Sequence, residues 1–222
     1  PLTKGNYTKL LLNFTNGKII DNTGNVNLET VGDTHLDTSV KKFGTASIEF
    51  DGDDRLRTPN QGNGTVDGFG ARLGTGDFTV ECFVYFDTVA YKGIWQFDTE
   101  SLSSDAYIAP VLLIYNHNGT MKWATMTQHG GNQILVASSG NITPSTGTWY
   151  HTAVVRTNGT VKVFVDGTQN ISDFTDTTDY SNRDTLFIGG FYSTSYLMDG
   201  YIDEFRYTNK ARYTSNFTAP TK

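Results

Sequence analysis

Three kinds of side chain in this sequence could do chemistry: paired carboxylates, histidines and aromatic rings. Hydrolysis of a glycosidic bond needs two carboxyl groups about 5 to 9.5 Å apart across the sugar. Asp203 and Glu204 are adjacent on a predicted strand and so point to opposite faces. Asp77 and Glu81 share a face but lie four residues apart, about 13 Å at ~3.3 Å per residue, which is too far. Only a cross-strand pair keeps a hydrolase reading open. The four histidines, His35, His117, His129 and His151, show no metal spacing, and there is no Gly-x-Ser-x-Gly nucleophile turn. His151, beside Trp149 and Ala153, reads as a buried, hydrogen-bonded histidine, and His117 as a solvated turn residue.

Aromatic rings offer the other chemistry. Sugar C–H surfaces stack on ring faces, while hydroxyls need paired donors and acceptors beside them. The candidates for such contacts are Glu81, Phe83 and Tyr85 on one strand, Trp95, Tyr115 and Trp123 on neighbouring strands, and Tyr192 and Tyr196 in the loop 191–200. Trp149 reads as core.

The elements that must position these residues are strands. The central signal is residues 146–167, where two β-branched and aromatic runs flank Asn158-Gly159, a pair that tolerates the positive φ of a tight hairpin turn. In the second run Val161, Val163 and Val165 alternate with Lys162, Phe164 and Asp166. The first run has apolar residues on both faces, with Trp149, Ala153 and Val155 on one and Tyr150 and Val154 on the other, which places it deep in the molecule. Residues 77–87 show the cleanest period of two: Phe78, Val80, Cys82, Val84 and Phe86 form one face, and Thr79, Glu81, Phe83 and Tyr85 the other. Further strands are predicted at 9–14, 43–51, 93–98, 108–115, 121–127, 133–137, 186–190 and 201–207. Residues 51–76 and 166–184 read as long loops, and no segment has helical periodicity.

Composition sets the class. Thr, Asn and Gly abound, aromatics make up 13%, and 222 residues suit one large all-β unit, read here as a single domain over 1–222 with its core in 9–220. A net charge of −6 argues against nucleic acid, which calls for a basic face. The apolar runs are far shorter than the ~20 residues that span a bilayer. Cys82 has no partner for a disulfide and reads as a small buried hydrophobe. The sequence opens at Pro1 without a charged-then-apolar leader, which is expected of a processed chain or of part of a longer one.

The order LLLNF, DNTGN, KFGTASIEFDG, GTGDFTVECFVYF, GTWYHTAVVR, NGTVKVFVDG, LFIGG and GYIDEFRYTNKARYTSNFTAP resembles the concanavalin A-like, laminin-G-like jelly-roll family from Lys9 to Pro220. The ending ARYTSNFTAP is most similar to copies in tail and structural proteins of tailed bacteriophages. The resemblance implies an all-β, antiparallel two-sheet sandwich whose first and last strands lie together. It implies a structural calcium held by Asp203, with Asp21, Gly24 and Asn25 of the DNTGN turn as helpers, although Thr15 stands where many relatives carry an acidic residue. Three functions are compatible with it: a non-enzymatic carbohydrate-binding or adhesion module on a virion, a virion structural or decoration protein, or a glycoside hydrolase. The first is the expectation carried forward, with a bacterial surface glycan, other virion proteins or further copies of the chain within an assembly as partners, at the virion surface or outside the cell.

Overall fold

A computed structural model describes residues 1–15, 17–59, 73–98, 110–129, 132–140, 142–183, 185–191 and 193–221, with side chains left aside at 127–134. Among the described residues fifteen strands follow in chain order: β1 (Thr8–Leu12), β2 (Glu29–Val31), β3 (His35–Asp37), β4 (Ser47–Asp51), β5 (Arg55–Arg57), β6 (Phe78–Phe86), β7 (Lys92–Asp98), β8 (Val111–His117), β9 (Thr120–His129), β10 (Asn132–Ala137), β11 (Trp149–Thr157), β12 (Thr160–Val165), β13 (Thr168–Thr175), β14 (Thr185–Ile188) and β15 (Asp199–Thr208). The one helical element among the described residues is a single 3₁₀ turn at Thr194–Tyr196.

The strands form two antiparallel sheets. The first runs β13-β12-β11-β6-β15-β4-β3, with β1 also on β15, and the second runs β10-β9-β8-β7-β14-β5-β2. This is the expected sandwich. β4 pairs with the first half of β15 and β1 with the second half, so the first and last strands do lie together. Three short strands (β2, β3, β5) and β13 were not expected. β13 lies in the region read as an acidic loop, and its alternation is blurred by Ser172 and Asp173, both exposed.

The period of two explains the core. The inner face of β6, from Phe78 to Phe86, meets Trp95, Phe97 and Trp123 of the second sheet. Trp123 packs against Phe86 and Tyr150 with centroids 5.8 and 5.3 Å away, in tilted and edge-on geometries that aromatic quadrupoles favour. Asn158 and Gly159 take φ of 48° and 74°, as the hairpin turn requires. Both faces of β11 are covered, as its sequence indicates. Tyr150 and Val154 face the other sheet, while Ala153, Val155 and Phe164 lie under Ala211, Tyr213 and Phe217 of the C-terminal segment.

That segment crosses the outer face of the first sheet as a strap. Tyr213 and Phe217 stack at 3.6 Å, and Phe217 N donates to Gly167 O. A Cβ on Gly167 would sit 2.0 Å from Phe217 O, so glycine permits the close approach. The strap covers one end of the outer face and leaves the other open.

Candidate functional site

The open end is built by register. Trp149 lies opposite Tyr85, Tyr85 opposite Tyr201, Tyr201 opposite Glu49 and Glu49 opposite His35, so side chains of β11, β6, β15, β4 and β3 form one row across five strands. At the ~4.8 Å spacing of neighbouring strands the row is about 19 Å long. The rings touch: Tyr85 lies 5.5 Å from Trp149 and 5.7 Å from Tyr201. Trp149 and Tyr85 are half-buried, keeping ring surface in solvent, and Tyr201 is more enclosed. The Tyr201 hydroxyl is 3.4 Å from Glu49 Oε1, and His35 Nε2 is 3.3 Å from Glu49 Oε2. Burial, with the charges of Glu49, Asp87 and Asp37 nearby, pushes the Tyr201 phenol up to about 12, so it remains a hydrogen-bond donor at neutral pH. The row therefore combines stacking surfaces, a phenol, a carboxylate and an imidazole.

Of the residues expected to meet a ligand, Tyr85 is in this row. Glu81 and Phe83 share its strand face but are covered, which corrects the expectation that they are open. Glu81 is fully buried: Oε1 accepts from Arg206 Nε and Nη2 at 2.9 and 2.7 Å, and Oε2 accepts from the Tyr213 hydroxyl at 2.9 Å and lies 3.2 Å from His151 Nε2. Burial opposes its ionisation, but the His151 hydrogen bond and the Arg206 charge more than offset this and hold the carboxyl below its ordinary range. Phe83 is wedged between Phe43 at 5.0 Å and His151 at 4.9 Å. His151 is thus the buried, hydrogen-bonded histidine that its context suggests, and His117 is exposed.

Trp95 and Trp123 are corrections of the same kind. Both are fully buried between the sheets and present no ring to solvent. Tyr115 and Tyr196 do come together, through Tyr91, whose ring lies 5.5 Å from the first and 4.7 Å from the second, on the outer face of the other sheet. Tyr192 lies outside the described residues. Trp149, Tyr201, Glu49 and His35 were missed as site residues. Trp149 was read as core, yet it ends the row half-exposed. Its signal is the pairing of β11 with β6, which no local pattern contains.

The implied calcium ligands separate into two places. Asp21 accepts backbone N–H groups from Leu11, Thr23, Asn25 and Val26 together with the Thr23 hydroxyl, so it serves as the carboxylate that ties the turn, with Gly24 at φ 74°. Asn25 turns its side-chain amide to Lys9 O at 3.4 Å. Asp203, on β15, instead ties the loop between β3 and β4, with Oδ2 accepting from Lys42 and Phe43 N–H. Here a bulge corrects the sequence reading. Glu204 has φ 56°, the register shifts, and Ile202 and Phe205 face the core while Asp203 and Glu204 both lie outside it. Glu204 Oε2 accepts from Leu2 N at 2.5 Å, whereas Asp203 Oδ1 and Glu204 Oε1 are buried without a partner. Burial raises these carboxyls to about 6 and about 7. Two orphaned buried oxygens fit a hard cation, and Asp203 and Glu204 would hold it. Asp21, fully engaged, does not fit.

The model of the concanavalin A-like lectin/glucanases superfamily matches residues 50–215, and the chain belongs to that superfamily. Among solved structures, domain 4 of AbnA, a GH43 extracellular arabinanase from Geobacillus stearothermophilus, in complex with arabinotriose, is similar at a TM-score of 0.66 and 18% identity, covering 92% of this chain and 93% of that one. The binding domain of Paraclostridial Mosquitocidal Protein 1 is similar at 0.66 and 13%, covering 93% of this chain and 50% of that one. The Ruminococcus gnavus IT-sialidase CBM40 bound to alpha2,3 sialyllactose is similar at 0.53 and 12%, covering 64% of this chain and 80% of that one. At these identities the likeness is one of fold. No curated protein matches the chain.

Proposed function

We propose that this chain is a non-catalytic carbohydrate-binding module, and that the row Trp149–Tyr85–Tyr201–Glu49–His35 is its ligand surface. The observation that carries the reading is the row itself: the partly exposed rings of Trp149 and Tyr85 run through the buried Tyr201 into a carboxylate and an imidazole on one sheet face. Rings supply stacking, and Tyr201, Glu49 and His35 supply the donors and acceptors that fix sugar hydroxyls. The fold's solved neighbours include domains that bind an arabinotriose and a sialyllactose, which supports a sugar as ligand. A catalytic reading would rest on the cross-strand carboxylates Asp51 and Asp199, and it has less support because the fold's solved neighbours include binding domains. The phage-like ending of the sequence supports display on a virion, where the ligand is a bacterial surface glycan. A calcium ion at Asp203 and Glu204 is part of the same proposal, as a brace for the bulge in β15.

The experiment is binding of the chain to a glycan array and to intact bacteria, in calcium and in chelator. Saturable binding that Trp149→Ala or Tyr85→Ala weakens at least about tenfold, with the fold intact by circular dichroism, is the expected result, since truncating an aromatic anchor of a binding surface costs about 2 kcal/mol or more. Binding indifferent to both variants refutes the site. A second reading, virion decoration through a protein partner, is favoured by the Tyr91–Tyr115–Tyr196 cluster on the opposite face, and absence of glycan binding by folded protein would promote it.

A further inference from the structure

We infer that the ligand carries no acidic group: the row accepts neutral sugars and rejects those bearing carboxylate, sulfate or phosphate. The inference rests on the row being a glycan site, and it comes from what surrounds the rings. Two residues along each strand from Tyr85, Tyr201 and Glu49, on the same sheet face, stand Asp87, Asp199 and Asp51. Asp199 is opposite Asp51, and Asp199 O accepts from Asp87 N, so these three carboxylates form a second row parallel to the aromatic one. Asp37 lies beyond Glu49 on the far side, its carboxylate kept below the ordinary range by the Val40 amide and the Ser39 hydroxyl and amide.

Charge balance follows. Among the described residues Lys42 brings a cation to this end of the face, its ammonium 5.6 Å from the Phe83 centroid, while His35 Nε2 lies against Glu49. The carboxylates on this face, Glu49, Asp51, Asp87, Asp199 and Asp37, outnumber that cation. An acidic sugar laid on the row would be repelled by the same groups. No guanidinium lies in the row to pair with it, and a pairing Arg is the usual recognition of a carboxylate. Neutral sugars suffer no such penalty, since carboxylates are good acceptors for hydroxyl donors. The acidic residues filter what the aromatic row admits.

The test measures affinity by calorimetry for neutral oligosaccharides and for their acidic counterparts, oligogalacturonate and sialylated oligosaccharide among them, at 50 and 500 mM salt. The expected result is about tenfold tighter binding of the neutral member at low salt, as several like charges within a Debye length produce, with the gap narrowing at high salt. Asp87→Asn should narrow it at low salt as well. Acidic sugars binding as tightly as neutral ones, or a gap that ignores both salt and Asp87→Asn, overturns the inference and leaves the site standing. Binding of neither class removes the site reading and takes the inference with it.

Discussion

Replacing Glu81 with leucine separates an anchoring role from a ligand-binding one. In the folded chain Glu81 is fully enclosed, and Arg206 is 2% exposed with its Nε and Nη2 on the carboxylate; apart from these bonds, Arg206 Nη1 reaches Thr3 O. Leucine would leave a buried guanidinium unpaired, a change that costs about 3–5 kcal/mol. Arg206→Met should cost a similar amount by stranding the carboxylate. The double variant, with both charges gone, still strands the Tyr213 hydroxyl and His151 Nε2, so it should lie about 1–3 kcal/mol below the parent, giving a coupling of at least about 2 kcal/mol. Urea unfolding followed by tryptophan fluorescence measures all four proteins. Because the Glu81 carboxyl is held below its ordinary range, its contribution is present above that range and is lost as pH falls through the depressed value. The double variant should therefore lose less stability than the parent on acidification below about pH 4.3. Glu81→Gln, if folded, should bind glycan as the parent does. Additive single costs would refute the pairing, and a folded Glu81→Gln that fails to bind would return Glu81 to the ligand surface.

Asp203 and Glu204 shift the other way. Raised to about 6 and about 7 by burial, they contribute stability that is full below the ordinary carboxylate range and lost as pH climbs from about 4 to about 7. Each alone corresponds to about 3 kcal/mol, and the pair to less than twice that because the Asp203 charge is part of what raises Glu204. In chelator the melting temperature should drop between pH 5 and pH 8 in the parent and stay flatter in Asp203→Asn/Glu204→Gln; equal slopes would contradict the assignment. Cys82, buried with its thiol pushed up to about 12, should resist a thiol reagent at pH 8 until urea unfolds the chain, and prompt labelling of the folded protein would count against its place in the core.

What could be read from the sequence followed the range of each signal. Alternation in residues 78–86 and the Asn158-Gly159 turn are local, and they gave the two faces of β6 and the central hairpin correctly. Alternation tells which residues share a face but is silent on what lies over that face. Glu81, Phe83 and Tyr85 therefore looked equivalent, and what packs over the face decides between them: Tyr213 of the strap bonds Glu81, Phe43 and His151 enclose Phe83, and Tyr85 keeps part of its ring in solvent. Trp95 and Trp123 were misplaced for a related reason, since on β7 and β9 both faces carry apolar residues and the register shift between Gly93 and Trp95 changes which one is inner. Glu204 defeats alternation outright, because a positive φ inserts a residue that period two does not count. The row from Trp149 to His35 is the extreme case: its members lie as far apart as residues 35 and 201, and only the pairing of five strands makes them neighbours. A surface assembled by register can be altered by slipping one strand without changing a side chain, so a one-residue insertion early in β4 should turn Glu49 inward and remove the polar end of the row while every aromatic remains.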